Sequence, residues 1–157
     1  MSNLFEVRDK EGNIRRYISI LSHDFVFDKG LISEAILGEV VGSADDGRIT
    51  EFRPNPVFLN LLHRKIEENG INAKPLIDEA LRQHDGVVVV IDGRVKNKDD
   101  GVPPEDIIGL FSVVDGQLAE YKPNPNYLLY TNKGFMILEK SLHSCLERVV
   151  FEKYENT

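Results

Sequence analysis

The chain has 157 residues, 41% hydrophobic and 29% charged, which suits one folded domain and excludes a disordered or fibrous class. Its formal net charge of -7 and sequence pI of about 5.1 oppose a nucleic-acid partner, because phosphates would be repelled, and would speed encounter with a basic protein. The single cysteine, Cys145, excludes an intrachain disulfide and a thiolate metal cluster and fits a reducing compartment.

The first residues lack the charged and then apolar pattern of a signal peptide, and the longest apolar run, Val87 to Ile91, is too short for a bilayer. A cytoplasmic location without membrane attachment is therefore expected. Leu4 to Arg8 and Ile14 to Leu21 read as a hairpin around the turn-forming residues Asp9 to Asn13. His23 to Gly30 reads as a short strand ending in a turn. Ile36 to Val41 and Arg48 to Arg53 then form a second hairpin. Asn55 suits a helix cap and Pro56 the first helical position, where no N–H is needed.

The helix that follows places Phe58, Leu61, Leu62 and Ile66 on one stripe and stops at Asn69-Gly70. A second helix from about Lys74 to His84 gathers Leu76, Ile77, Ala80 and Leu81 on one side. Val87 to Ile91, apolar on both faces, reads as a central strand. Gly93 to Pro104 is polar and predicts the most mobile loop. Ile107 to Val114 and Gln117 to Lys122 form a further hairpin, Asn126 to Tyr130 and Gly134 to Met136 read as extended, and the last helix runs from about Ile137 to Phe151. Its expected buried stripe is Leu138, Leu142, Cys145, Leu146 and Val149.

One phrase occurs twice in this series. Glu34-Ala-Ile-Leu-Gly38 leads to Asp46-Gly-Arg-Ile-Thr-Glu-Phe-Arg-Pro-Asn-Pro56, and Glu105-Asp-Ile-Ile-Gly109 leads to Asp115-Gly-Gln-Leu-Ala-Glu-Tyr-Lys-Pro-Asn-Pro125. Such self-similarity predicts a domain built from two related halves. The expected fold class is α+β: a mostly antiparallel sheet made of two repeated hairpin-plus-helix halves, with the helices packed on one face. Residues 1–157 then form a single domain, with the duplicated halves at about 23–70 and 87–152.

The repeat supplies the candidate binding residues Glu51, Arg53, Glu120, Tyr121 and Lys122. Brought together by approximate symmetry, Glu51 and Glu120 could serve as an acid and a base. Strand alternation argues instead that the charged residues face solvent while Phe52 and Tyr121 point inward. His23, His63, His84 and His143 are scattered without zinc-ligand spacing, and Asp45-Asp46 and Asp99-Asp100 lack the spacing of a calcium loop. Cys145 falls on an apolar stripe, where a thiolate is disfavoured. No phosphate-binding glycine motif or nucleophile elbow occurs. Neither a catalytic residue, a metal nor a cofactor is assigned.

These residues predict a non-catalytic cytoplasmic protein-binding domain. One concrete form is an immunity or antitoxin-type inhibitor whose acidic surface masks a basic partner. The alternative is a small-molecule-binding protein or enzyme with a site between the two repeats. Homo-oligomerisation through an exposed apolar patch or unpaired strand is a third expectation.

Overall fold

The protein has an α+β fold, and its computed structural model describes residues 2–155. In chain order the elements are β1 (Asn3–Arg8), β2 (Ile14–Ser19), α1 (His23–Lys29), β3 (Ile36–Ser43), β4 (Ile49–Pro54), α2 (Pro56–Asn69), α3 (Lys74–Gln83), β5 (Gly86–Ile91), β6 (Ile107–Val114), β7 (Gln117–Pro123), β8 (Tyr130–Thr131), β9 (Gly134–Phe135) and α4 (Lys140–Glu155). Every strand pairing among the described residues is antiparallel, in sheets ordered β1-β2-β3-β4, β5-β6-β7 and β8-β9. Contacts divide the chain into two units, Met1–Leu61 with Glu147–Thr157, and Leu62–Leu146. The boundaries fall inside α2 and α4.

In the first unit, Ile18, Leu37, Val40 and Phe58 are buried. Phe25 of α1 packs its ring 5.0 Å from Phe151 and 4.9 Å from Tyr154. The expected strand at His23 to Gly30 is thus a helix. Its alternating Phe25-Val26-Phe27 imitates strand periodicity, but Phe27 points to solvent, and Ser22 accepts a hydrogen bond from the Phe25 N–H at 3.2 Å as an N-cap.

In the second unit α3 packs against β5 and β7. β5 is an edge strand, not a central one, because β6 is its single strand neighbour. Val88 and Val90 are buried while Val87 and Val89 are exposed, so the all-valine run hides a two-sided strand. Leu81 also departs from expectation, being exposed. In α4, Cys145 and Val149 are half-buried while Val150 is fully buried, which moves the inner stripe one residue along. The segment Gly93 to Pro104 is polar yet anchored, since Arg94 and Val95 are buried within it.

The two hairpins that carry the repeated phrase share local solutions. Asn55 donates its side-chain amide to the carbonyls of Ser33 and Ile36, both at 2.9 Å, and its Oδ1 accepts from the Val57 N–H at 3.1 Å. Asn124 donates to the carbonyls of Pro104 and Ile107, both at 2.8 Å, and accepts from the Asn126 N–H at 3.1 Å. An aspartate or serine could cap but could not donate twice, which accounts for asparagine at both positions. Each hairpin also opens on a glycine, and a Cβ on Gly38 or Gly109 would collide with the ring of Phe52 or Tyr121.

The turns then differ. Asp115 and Gly116 both have positive φ, as a two-residue primed turn requires, whereas residues 44–48 form a longer loop.

Replacing Asn124 by alanine should cost about 1–3 kcal/mol through loss of its bonds to the Pro104 and Ile107 carbonyls. Asn124→Asp should cost more, because a carboxylate would then face two carbonyl oxygens. Urea unfolding of both variants measures the order, and equal stability of the two would contradict this account.

Candidate functional site

Glu51 and Arg53 lie on β4 in the first unit, and Glu120, Tyr121 and Lys122 on β7 in the second. Glu51, Arg53, Glu120 and Lys122 are exposed, as strand alternation predicts for the charged positions. The Glu120 backbone N–H donates to Ser112 Oγ at 2.9 Å, which ties β7 to β6. Tyr121 is buried at 7% exposure, with its hydroxyl 2.8 Å from His63 Nδ1.

Burial pushes the Tyr121 phenol well above its ordinary range and holds the His63 imidazolium below its own. A neutral phenol thus meets a neutral imidazole within hydrogen-bond distance, a pair that supports packing. Since the folded His63 is the weaker base, the unfolded chain takes up the proton first as the solution is acidified. Stability should fall as pH drops below about 6.5, and His63→Gln should flatten that stretch of a stability-versus-pH curve.

The most heavily bonded polar group is one that sequence reasoning missed. Asp92, Arg94 and Asp106 are buried at 0%, 4% and 0% exposure. Arg94 donates through Nε to Asp106 Oδ1 at 2.8 Å, through Nη1 to the Leu129 and Gly134 carbonyls, and through Nη2 to those of Glu105 and Leu128. Asp106 Oδ2 accepts from Lys133 Nζ at 2.7 Å. Asp92 accepts from the Arg94 and Ile137 N–H groups and, at 2.7 Å, from the Tyr127 hydroxyl.

Two carboxylates meet two cations in this cluster. Burial alone would raise the Asp106 carboxyl, but the Lys133 and Arg94 bonds outweigh it and hold it below the usual range. With its donors already committed, Arg94 works as a clamp on the chain between Glu105 and Gly134. Alignment of the two phrases holds one clue to it: Asp106 stands where the first copy has Ala35, and both are fully buried. Arg94→Met should leave two buried carboxylates short of a counter-ion and cost about 3–5 kcal/mol by denaturant melting.

His84, Asp85 and Asp115 bring ligand atoms within 4.8 Å of one another. All three are exposed, and Asp85 Oδ1 is engaged by the Asp115 N–H at 3.2 Å, so the group braces the end of the sheet.

Each unit carries a concave surface. In the second unit a groove of about 600 Å³ follows β5 from Val87 to Ile91, walled by Pro75, Leu76, Glu79 and Gln83 of α3 and by residues 137–139 and Leu142. In the first unit a pocket of about 440 Å³ is lined by apolar Val7, Leu31, Ile36, Pro54 and Pro56 together with Tyr17, Ser33, Glu39 and Arg53. Arg53 is thus the sequence-predicted residue that enters a pocket. No protein-family model, curated protein or solved structure significantly matches this chain. The two surfaces must therefore be weighed on their own chemistry.

The groove has a main-chain component. The Val87 N–H donates to Gln83 Oε1 at 3.1 Å, and the Gly93 N–H to the Ile137 carbonyl at 2.7 Å, whereas the Asp92 N–H turns inward to the Asp106 carbonyl at 2.8 Å. Alternation along the antiparallel ladder therefore aims the N–H and C=O of Val89 and Ile91 away from β6. Among the described residues no second strand takes them up. The edge is closed at both ends and open in the middle.

No helix among the described residues is long and apolar enough to cross a membrane.

Proposed function

We propose that the protein is a non-catalytic binding module for another protein, acting in the cytoplasm, and that the open edge of β5 is its recognition surface. The observation that carries this reading is the outward-facing backbone of Val89 and Ile91, set beside exposed valine side chains in an apolar groove. A short extended segment of a partner would pair with those groups by strand addition while its alternate side chains fill the groove.

Charge favours a basic partner. In the groove walls Glu79 is matched by Arg82 on both oxygens and Glu139 stands against Lys98, so the excess negative charge is that of the chain as a whole, at -7. Arg82 and Gln83 bonds hold the Glu79 carboxyl down at about 2. Glu139 takes the Ser141 and Leu142 donors on Oε2, which leaves Oε1 facing other partners. An inhibitor that masks a basic toxin is the concrete form of this reading, as in an immunity or antitoxin protein. A second copy of the chain, the competing occupant, would bring the same excess of carboxylates and be opposed by it. Supporting a duplicated origin for residues 23–70 and 87–152 are the matched amide bonds of Asn55 and Asn124 and the glycine-over-ring contacts in both hairpins.

The test uses the capped peptide acetyl-Lys-Val-Thr-Val-Thr-Val-amide, with one version carrying proline at the central valine and another glutamate in place of lysine. Binding should protect the Val89 and Ile91 amides from hydrogen exchange. The proline peptide should fail, and the glutamate peptide should bind roughly tenfold more weakly through loss of a charge-assisted bond. Unchanged exchange at Val89 and Ile91 under saturating peptide would end this proposal.

A further inference from the structure

The pocket of the first unit is separate from the β5 edge and stands on different observations. Tyr17, Glu39 and Arg53 face one another directly across β2, β3 and β4, with Tyr17 opposite Glu39 and Glu39 opposite Arg53. Residues opposed in this way share a face of the sheet, and all three line the pocket.

Their charges are not evenly used. Arg15 donates to both carboxylate oxygens of Glu39, Nε at 2.7 Å and Nη2 at 2.6 Å. That bidentate pair holds the Glu39 carboxyl below its ordinary range, so it stays ionised and matched by Arg15. Arg15 Nη1 also lies 3.9 Å from Asp9 Oδ2, a second partner on the far side of the pair. Arg53 reaches Glu39 Oε1 only at 3.9 Å, too long for a hydrogen bond.

The Arg53 guanidinium therefore keeps its donors, and among the described residues it makes no hydrogen bond. The same holds for the hydroxyls of Tyr17 and Ser33. A residue with a guanidinium fork and two with hydroxyls thus line a pocket whose apolar walls are Val7, Leu31, Ile36, Pro54 and Pro56. Ligand sites have this composition, an apolar enclosure with a few polar groups that set orientation.

We infer that this pocket binds a small carboxylate with an apolar body. Its carboxylate would lie against the Arg53 fork, where two parallel N–H bonds match the spacing of its oxygens. The Tyr17 hydroxyl would donate to it from the neighbouring strand. The apolar body would cover the proline and aliphatic walls. The pocket lies wholly within the first unit, unlike the site between repeats expected from sequence, and keeps one member of that expected set, Arg53.

Benzoate and its neutral counterpart benzamide test the inference, followed by amide and side-chain NMR shifts and by thermal melting. Benzoate should shift the resonances of Tyr17, Ser33 and Arg53 and raise the melting temperature, and benzamide should do neither. Arg53→Ala should weaken benzoate by at least roughly tenfold, the loss of a charge-assisted pair, with Arg53→Lys intermediate. Arg53 is largely exposed, so these variants should fold, and an unchanged melting temperature without ligand checks that. Equal binding of benzamide, equal binding of inorganic phosphate, or full benzoate affinity in Arg53→Ala would overturn the assignment.

Discussion

The architecture of the second unit depends on one buried guanidinium. Moving an arginine and two aspartates out of water carries a desolvation cost of several kcal/mol per ion, so such a group persists only where geometry satisfies it. Arg94 meets that condition by binding one carboxylate and four main-chain carbonyls drawn from residues far apart in sequence. Lys133 and Tyr127 complete the two aspartates from other directions. The end of β5, the helical turn before β6 and the irregular chain beyond β7 are thereby fixed to one centre.

That centre also explains why two similar phrases lead to different structures. After Asn55 the chain enters α2 at once, because Pro56 and the capping oxygen start a helix and Phe58, Leu61, Leu62 and Ile66 bury its stripe. After Asn124 the same cap geometry opens only a turn, since the Leu128 N–H bonds to the Glu105 carbonyl and the Leu128 and Leu129 carbonyls turn to Arg94. At this point the second copy has a buried aspartate, Asp106, where the first has Ala35. Burying that charge requires cations, and the cations recruit the following segment.

Much of the framework was legible from local chemistry. Asp-Gly steps, the Pro-Asn-Pro corners and the stripe of α2 report constraints that act within a few residues, so the sequence displays them directly. The failures arose where long-range contacts decide. The alternation at Phe25 to Phe27 looked like a strand, but Phe25 is claimed by Phe151 and Tyr154, more than a hundred residues away. Four consecutive valines concealed which pair faces solvent, because identical side chains carry no phase. Of the candidate site residues, strand alternation placed the exposed charges and buried Tyr121 correctly. It could not reveal that Arg53 would share a pocket with Tyr17 and Ser33, or that Arg15 would take both oxygens of Glu39.

The two Pro-Asn-Pro corners carry a further consequence, for chemical ageing rather than folding. Asparagine converts to aspartate when the next residue's backbone nitrogen attacks the side-chain carbonyl and closes a succinimide ring. Proline has no N–H at that position, so the residues after Asn55 and Asn124 deny the reaction its nucleophile. The two amides that hold the hairpin bases are shielded by covalent connectivity, a protection that would last even while the chain is unfolded.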